Sequence, residues 1–333
     1  LALPSENPTP TARTTVLRAA HTVAGWLWAN VLIGLFGLWL TGWLFRDSNQ
    51  LTALCMAIPT IAVAAALAAT AFLSWIMRCP RIACAALLCC ALPTLSLLYS
   101  ENQWHRPAPR GDVTRSLRVV HWNVGEASGN AEAILERLKP LNADVYILAE
   151  FFGAKAQRDI LKGLGKPFRV LREQHYLTVF ARQRVRLVHL ESRISKRAYF
   201  VQWASPAGPM LLMLIDLKSR PLFYRAPILS VMRDRIVELH PDLVIGDFNT
   251  SRRARMLADL PEGYVHAYEA AGAGWAYTWH DRYPVWDIDQ CILGPRIEPI
   301  YYDVVPTGIS DHRMQVVDFS LAEPDATPLT PSP

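Results

Sequence analysis

The chain has 333 residues, of which 51% are hydrophobic and 19% charged, with a net charge of +5. That much apolar material excludes intrinsic disorder, and 17 Gly with 24 Pro exclude a collagen-like or low-complexity chain. So mild a positive charge argues for no strong nucleic-acid preference.

The charge is unevenly spread. Before position 106 the only charged residues are Glu6, Arg13, Arg18, Arg46, Asp47, Arg78, Arg81 and Glu101. Three uncharged runs lie between them: Thr22 to Phe45, Leu51 to Met77, and Ile82 to Ser100, the last interrupted by Pro93. A bilayer core needs about 20 apolar residues as helix. Residues 22–100 are therefore expected to form a membrane domain of three transmembrane helices, at about 22–45, 51–77 and 82–100. Trp26, Trp28, Trp43 and Trp75 fall near the predicted ends, where indoles favour the interface. The first run is too long for a signal peptide, and no small-residue cleavage site follows it. Basic residues set the orientation. Arg13 and Arg18 precede the first run, Arg46 follows it, and Arg78 with Arg81 fill the second loop. This distribution predicts residues 1–21 as a cytoplasmic segment and everything after Ser100 as extracytoplasmic, on a multi-pass cell-membrane protein. Cys55, Cys79, Cys84, Cys89 and Cys90 belong to the apolar part and Cys291 alone to the polar part, so no intradomain disulfide or zinc spacing is expected there.

Residues 101–116 read as a linker, because Arg106 to Ser116 is Pro-rich, polar and unpatterned. From Leu117 the pattern becomes that of a folded domain, expected over 117–322, and 323–333 read as a disordered tail. Leu117 to Val124 predicts a strand. Asn130 caps a helix carrying Ile134, Leu135 and Leu138, stopped by Pro140. Val145 to Ala149 is a buried strand by its apolar run. Further strands are predicted at Tyr176–Ala181, Val185–Leu190, Ala198–Trp203 and Met210–Leu217. A helix follows over Arg225–Leu239, with Pro227 in its first turn, and then strands at Leu243–Ile245, Asp289–Leu293 and Met314–Phe319. Such a mixture points to an α+β sandwich of two mixed sheets flanked by helices.

Polar residues gather at the predicted strand ends: Asn123, Glu150, Asp216, Asp247, Asn249, Asp289, Asp311 and His312. Singly they are ordinary. An Asp-x-Asn after Gly is usually a turn, and a His after Asp is usually a cap or surface residue. Their order carries more. Trp122-Asn123-Val124, Ala149-Glu150, Gly246-Asp247-Phe248-Asn249, Asp287-Ile288-Asp289 and Ser310-Asp311-His312, with Thr278-Trp279 ahead of the Ile-Asp, resemble the endonuclease/exonuclease/phosphatase family of the deoxyribonuclease I-like fold. The resemblance covers Leu117 to Phe319. It implies a four-layer α/β-β/α sandwich and a divalent-metal phosphoesterase.

The chemistry of the residues agrees with it. Hydrolysing an anionic phosphate ester requires charge neutralisation, an oriented water and help for the leaving oxygen. Mg²⁺ prefers oxygen ligands and keeps several waters, so one or two carboxylates suffice. Mg²⁺ or Mn²⁺ is thus expected at Glu150, with Asn123 and Asp311. Asp247 is expected to orient and deprotonate the water, Asn249 to hold a phosphate oxygen, His312 to stabilise or protonate the phosphoryl group, and Asp289 to hold the other ring nitrogen of His312.

Two departures from the family pattern stand out. Ile215-Asp216-Leu217 occupies a place where many members have a His-Leu pair, and Ala149 precedes Glu150 where Gln is common. Asp216 is expected to bind metal or substrate, or to pair with Lys218 or Arg220. Arg252, Arg253 and Arg255 follow the Asp-x-Asn turn, either as a solvated face or as a lure for anionic substrate. Trp275, Tyr277, Trp279, Tyr283 and Trp286 crowd the stretch before Asp289, as core or as a loop touching lipid or substrate. The leading expectation is a membrane-tethered phosphoesterase acting on a phosphodiester, phosphomonoester or pyrophosphate of a lipid or envelope substrate, with the lipid bilayer as partner. Three-span members of this layout look like bacterial envelope proteins, some linked to glycopeptide-antibiotic resistance. The alternatives are a tethered extracytoplasmic nuclease and, from another class, a catalytically inactive binding module. Substrate identity and oligomeric state leave no mark in the sequence.

Overall fold

A computed structural model describes residues 12–173, 177–191, 197–220 and 222–322. The apolar region forms four helices: α1 (Ala12–Phe45), α2 (Gln50–Met56), α3 (Thr60–Ile76) and α4 (Pro80–Leu95), the last continued by a π-helical turn over Ser96–Glu101. Among the described residues, Trp28–Phe45 within α1 and Pro80–Glu101 are long and apolar enough to cross a membrane. α2 and α3 make a third span only if taken together across a 61° bend. One continuous helix over 51–77 was the sequence expectation, and Pro59 is the reason it fails. Proline lacks an N–H and pushes the residue before it out of the helical region, so α2 ends at Met56 and α3 restarts at Thr60. The helices are cross-tied by indoles: Trp28 donates to Thr70 at 3.3 Å, Trp39 to Thr60 at 3.0 Å and Trp43 to Ser96 at 3.2 Å. Outward they present Val31, Ile33, Leu73, Leu87 and Leu88, as hydrocarbon-facing surfaces do.

The polar domain is built on two six-stranded sheets. The first runs in the order β11 (Ile297–Val305), β12 (Met314–Leu321), β1 (Leu117–Asn123), β2 (Val145–Ala149), β4 (Leu177–Ala181), β3 (Arg169–Glu173). The second runs β5 (Val185–Leu190), β6 (Ala198–Ser205), β7 (Gly208–Asp216), β8 (Leu243–Asp247), β10 (Asp289–Leu293), β9 (Val265–His266). β1 with β2 and β7 with β8 are the parallel pairs, and the other pairs are antiparallel, so both sheets are mixed.

Alternation along the strands decides the layers. Val119, Ile147 and Val179 of the first sheet meet Val201, Leu212 and Ile245 of the second in the central core. On the outer face of the first sheet, Trp122, Leu148 and Phe180 pack under α5 (Ala131–Leu138) and α6 (Ala154–Leu164). On the outer face of the second, Phe200, Met213 and Val244 pack under α7 (Ala226–Leu239) and α8 (Arg255–Ala258). The result is the four-layer α/β-β/α sandwich expected; a short α9 (Ala267–Ala271) also packs into the central core. β2 and β8 are buried throughout, which is why they read as unbroken apolar runs.

Six elements had no expectation behind them: α6, β3, α8, β9, α9 and β11. Residues 106–112 are irregular and Val113–Arg115 form a 3-10 turn, yet the stretch is tied down, with Arg106 donating to the Ala271 carbonyl at 2.6 Å and Arg110 N to Pro299 O at 2.9 Å. Tyr176, placed in a strand by its sequence, and the tail at 323–333 lie outside the described residues, as do residues 1–11 of the N-terminal segment.

Candidate active site

Strand register brings the polar residues to one rim. In the parallel pair β1–β2, Asn123 is level with Ala149, so Glu150 comes next beyond the strand end. In β7–β8, Asp216 is level with Asp247, and in the antiparallel pair β8–β10, Asp247 is level with Asp289. β12 runs antiparallel to β1, so the segment leading into it arrives where β1 ends. There Ser310 Oγ donates to Asn123 O at 2.8 Å and Trp122 Nε1 to His312 O at 3.2 Å. Gly246 lets two strands approach: with φ +155°, a Cβ on it would lie 2.0 Å from Ile215 O of β7. The glycine ahead of Asp247 is therefore a packing requirement of the parallel pair.

At the centre is a line of three buried groups. His312 Nδ1 stands 2.9 Å from Asp289 Oδ2, and His312 Nε2 stands 3.9 Å from Asp247 Oδ2. One ligating atom from each of these residues can be chosen so that all lie within 4.8 Å of one another. Asp247 is gripped from several sides. Asn249 N donates to Oδ1 at 2.8 Å, while Asn249 Nδ2 at 2.9 Å and Asn123 Nδ2 at 3.1 Å donate to Oδ2. Asn249 achieves this with φ +50°, in the left-handed region that Asn tolerates, and its amide also donates to Leu217 O at 2.9 Å. Burial, with the charge of Asp289 added, pushes the Asp247 carboxyl up to about 7, against the pull of His312. Burial alone would lower His312, but the charge and hydrogen bond of Asp289 outweigh it and hold the imidazole up to about 10. Asp289 moves the opposite way: burial would raise it, and His312 brings it below its ordinary value. An imidazole kept protonated by a carboxylate is a poor metal ligand, so this trio suits proton handling better than ion binding.

Beside it lies a different kind of cluster. A Cβ placed on Gly125, whose φ is +25°, would sit 3.3 Å from Asp311 Oδ1, 3.6 Å from Asn123 Oδ1 and 3.9 Å from Glu150 Oε2. Three oxygens thus lie within 4 Å of one point beside Gly125. The Asn123 amide is oriented by donating through Nδ2 to Asp247, which turns Oδ1 toward the cradle, where Gly125 N donates to it at 3.0 Å. Asp311 is held by Trp279 Nε1 at 2.9 Å. Glu150 has φ +53°, a strained conformation for a residue of its kind. An all-oxygen set with two carboxylates and an amide fits a hard divalent cation such as Mg²⁺ or Mn²⁺ and gives no reason to invoke zinc. Asn123, Glu150, Asp311, Asp247, Asn249, Asp289 and His312 are therefore brought together as their sequence positions implied.

Three other expected residues are not. Arg252 and Arg253 do not line the pocket. Arg252 is buried, pairs with Asp287 at 3.0 Å, lies over the Tyr268 ring at 4.7 Å and donates to the Glu101 carbonyl; Arg253 donates to Glu101 Oε1 at 3.0 Å. Both hold the apolar helices to the polar domain. Their positions after the Asp-x-Asn turn looked like a surface because the sequence does not reveal that the end of α4 covers it. Asp216 is fully buried, receives Arg197 Nη1 at 2.9 Å, so it pairs with neither Lys218 nor Arg220, and does not line the pocket. Burial first, then the neighbouring Asp247, raises its carboxyl well above the usual range, with Arg197 opposing.

Several contributors went unnoticed in the sequence. Arg225, at the start of α7, is the one Lys or Arg among the described residues lining the pocket at this rim. Its position beside the basic pair Lys218 and Arg220 was the available signal. His121 lies fully buried beneath the rim, 4.0 Å from Asp289, and burial lowers it to about 4, so it stays neutral. Alternation along β1 marks it, since it shares a face with Asn123. The pocket measures about 670 Å³, and part of its wall is Ala53, Leu54, Met56 and Ala57 from the α2 region. No sequence pattern connects those residues to the site.

Comparison with known proteins follows the geometry. The family model described as Endonuclease/Exonuclease/phosphatase family matches residues 120–312. No curated protein matches the chain. Among solved structures, a D. rerio TDP2 humanized by 14 mutations superposes with a TM-score of 0.52 at 21% identity, covering 62% of this chain and 99% of that one. A truncated Caenorhabditis elegans TDP2 gives 0.51 at 18% identity, covering 62% and 98%. D. rerio TDP2 complexed with a single-strand DNA product gives 0.50 at 19% identity, covering 62% and 99%. At these identities the likeness establishes the fold.

Proposed function

The chain belongs to the endonuclease/exonuclease/phosphatase family, whose members hydrolyse phosphate esters, and we propose that it is a membrane-anchored, divalent-metal-dependent phosphoesterase. The observation that carries this reading is the pairing of two clusters on one rim: the Asp289–His312–Asp247 line and the three oxygens around Gly125.

Glu150, Asn123 and Asp311 would hold Mg²⁺ or Mn²⁺, which when bound neutralises phosphoryl charge. Asp247, raised to about 7, is a base matched to a neutral medium. It orients a water and takes its proton as the water oxygen bonds to phosphorus. His312, kept protonated by Asp289, faces the opposite need: it donates to the phosphoryl group and to the leaving oxygen as the second P–O bond breaks. Asn249 fixes Asp247 and directs its amide at the same region. Arg225 adds the pocket's positive charge. Asp289 acts through His312, setting its tautomer and charge.

Asp216, the sequence feature favouring an inactive binding module, is paired with Arg197 inside the fold at 2.9 Å and not exposed to an anionic substrate. A nuclease groove needs several cations along a phosphate backbone, whereas this pocket has Arg225. A lipid or envelope phosphate ester suits the pocket better. For orientation, the 46–59 segment hydrogen-bonds to the polar domain, so the two lie at the same end of the helices. With Arg78 and Arg81 in the other loop, the basic-residue bias supports an extracytoplasmic catalytic domain on a cell-membrane protein.

The test is phosphate release by the full-length protein from a panel of monoesters, diesters and diphosphates, with Mg²⁺, with Mn²⁺ and with EDTA. Metal-dependent release that Glu150→Gln abolishes supports the proposal. Equal release in EDTA, or full activity in the variant, overturns it.

A further inference from the structure

The catalytic fold supplies only part of its own pocket. The rest comes from the chain between α1 and α3, which is fixed against the polar domain by four hydrogen bonds. Trp286 Nε1 donates to Ala57 O at 2.7 Å, Gln50 Nε2 to Leu222 O at 3.2 Å, Tyr224 OH to Asp47 O at 3.0 Å, and Arg255 N to Asp47 Oδ1 at 2.7 Å. Within that chain α2 is capped at Asn49, whose side chain accepts from Thr52 N at 3.0 Å while Thr52 Oγ1 accepts from Asn49 N at 3.1 Å. Met56 packs against the cluster that contains Phe248, directly behind the Asp247 turn. α2 is therefore a built wall of the site.

Asp47 and Gln50 line the pocket from the polar start of this segment, and the rest of its lining is apolar. Ala53, Leu54, Met56 and Ala57 face the same pocket as Glu150, Asp247 and His312. The wall also belongs to the membrane region by position. α1 ends at Phe45 just before it, and α3 begins at Thr60 just after it, 61° off its axis. In a bilayer this places α2 at the level where hydrocarbon gives way to head groups. At that level Leu51 and Leu222 are left 69% and 70% exposed.

We propose that α2 is the substrate-selecting wall. The pocket takes a lipid of the same membrane with a phosphate or diphosphate head, its phosphoryl group against Glu150, Asp247 and His312 and its hydrocarbon along Ala53, Leu54, Met56 and Ala57. This rests on the phosphoesterase reading and adds the other half of the substrate. Each methylene moved from water onto an apolar wall contributes about fourfold in affinity, 0.8 kcal/mol, so chain length is the property this wall reads.

The experiment uses the full-length protein with Mg²⁺. Binding of butylphosphonate and octylphosphonate, which carry no hydrolysable ester, is measured by calorimetry, and turnover of butyl and octyl phosphates and diphosphates is measured by phosphate release. The wild-type protein is expected to bind the octyl compound at least about tenfold more tightly. Leu54→Asp is expected to bring that ratio to about threefold or less, and Leu54→Met to keep it. Equal affinity for the two chain lengths in the wild-type protein overturns the proposal, whatever the variants do. So does an unchanged ratio in Leu54→Asp. Chain-length-dependent binding without turnover of any ester would support the wall and remove the phosphoesterase reading. Turnover without chain-length preference would do the reverse.

Discussion

Two of the buried polar clusters among the described residues differ in how fully they are satisfied. One is the junction at Glu101, where the apolar helices meet the polar domain. Its carboxylate accepts from Thr60 at 2.6 Å, Ser96 at 2.9 Å, Arg253 at 3.0 Å and Tyr277, and its carbonyl accepts from Arg252. The other is the candidate rim, where Asp289 Oδ1 and His121 Nε2 are buried without a hydrogen-bond partner. The rim also holds the left-handed residues Glu150 and Asn249. A satisfied buried network serves to fix geometry, while unsatisfied groups and strained backbone cost stability and persist where a site needs them. The contrast separates what holds the protein together from what works in it.

Substitutions can break that contrast, and the largest effects belong to the rim. Asp247→Asn and His312→Ala should each lower kcat by about a thousandfold, as followed by phosphate release; His312→Ala also leaves Asp289 buried without its cation and should lower the melting transition, as read by calorimetry. Glu150→Gln should lower activity by about a hundredfold or more and raise the Mg²⁺ concentration for half-maximal rate at least about tenfold, because the cradle loses one of its two charges. A metal titration reads this.

The junction should behave in the opposite sense. Glu101→Ala leaves Arg253 without its carboxylate and frees Thr60, Ser96 and Tyr277, so it is expected to cost about 3 kcal/mol of stability, measured by thermal unfolding of the detergent-solubilised protein. Its effect on the Mg²⁺ dependence should be slight. If Glu101→Ala instead altered the metal requirement while leaving stability intact, the distinction between the clusters would fall. The smallest effect sharpens the boundary. Trp279→Phe removes one hydrogen bond to Asp311, worth about 1 kcal/mol, and should raise the Mg²⁺ requirement a fewfold without a stability change of similar size.

Much of the rim was legible because it sits at strand ends. Asn123, Glu150, Asp247, Asp289 and His312 each follow or precede an apolar run, and the period of those runs revealed where the strands stop. Arg252, Arg253 and Asp216 were misjudged because their partners, Glu101, Asp287 and Arg197, are set by packing. Nothing local in RRAR or IDL says whether the surface there is covered. β3 and β11 escaped for a related reason. Their alternation is interrupted by Arg169 and Arg172 in one and by Glu298 and Asp303 in the other, as suits strands at the outer edges of the first sheet.

What the sequence determined by itself was the division into apolar and polar parts, the two-sheet class and the identity of the residues on the rim. Each of these follows from local periodicity and from which side chains water or hydrocarbon will accept. Only the tertiary structure decided that α2 joins the catalytic pocket and that Glu101 clamps the two parts. Those outcomes depend on contacts between residues more than a hundred positions apart, such as Ala57 with Trp286 and Glu101 with Arg253. Their energies are set by shape and desolvation at the meeting point, and no stretch of sequence records these before the chain has folded.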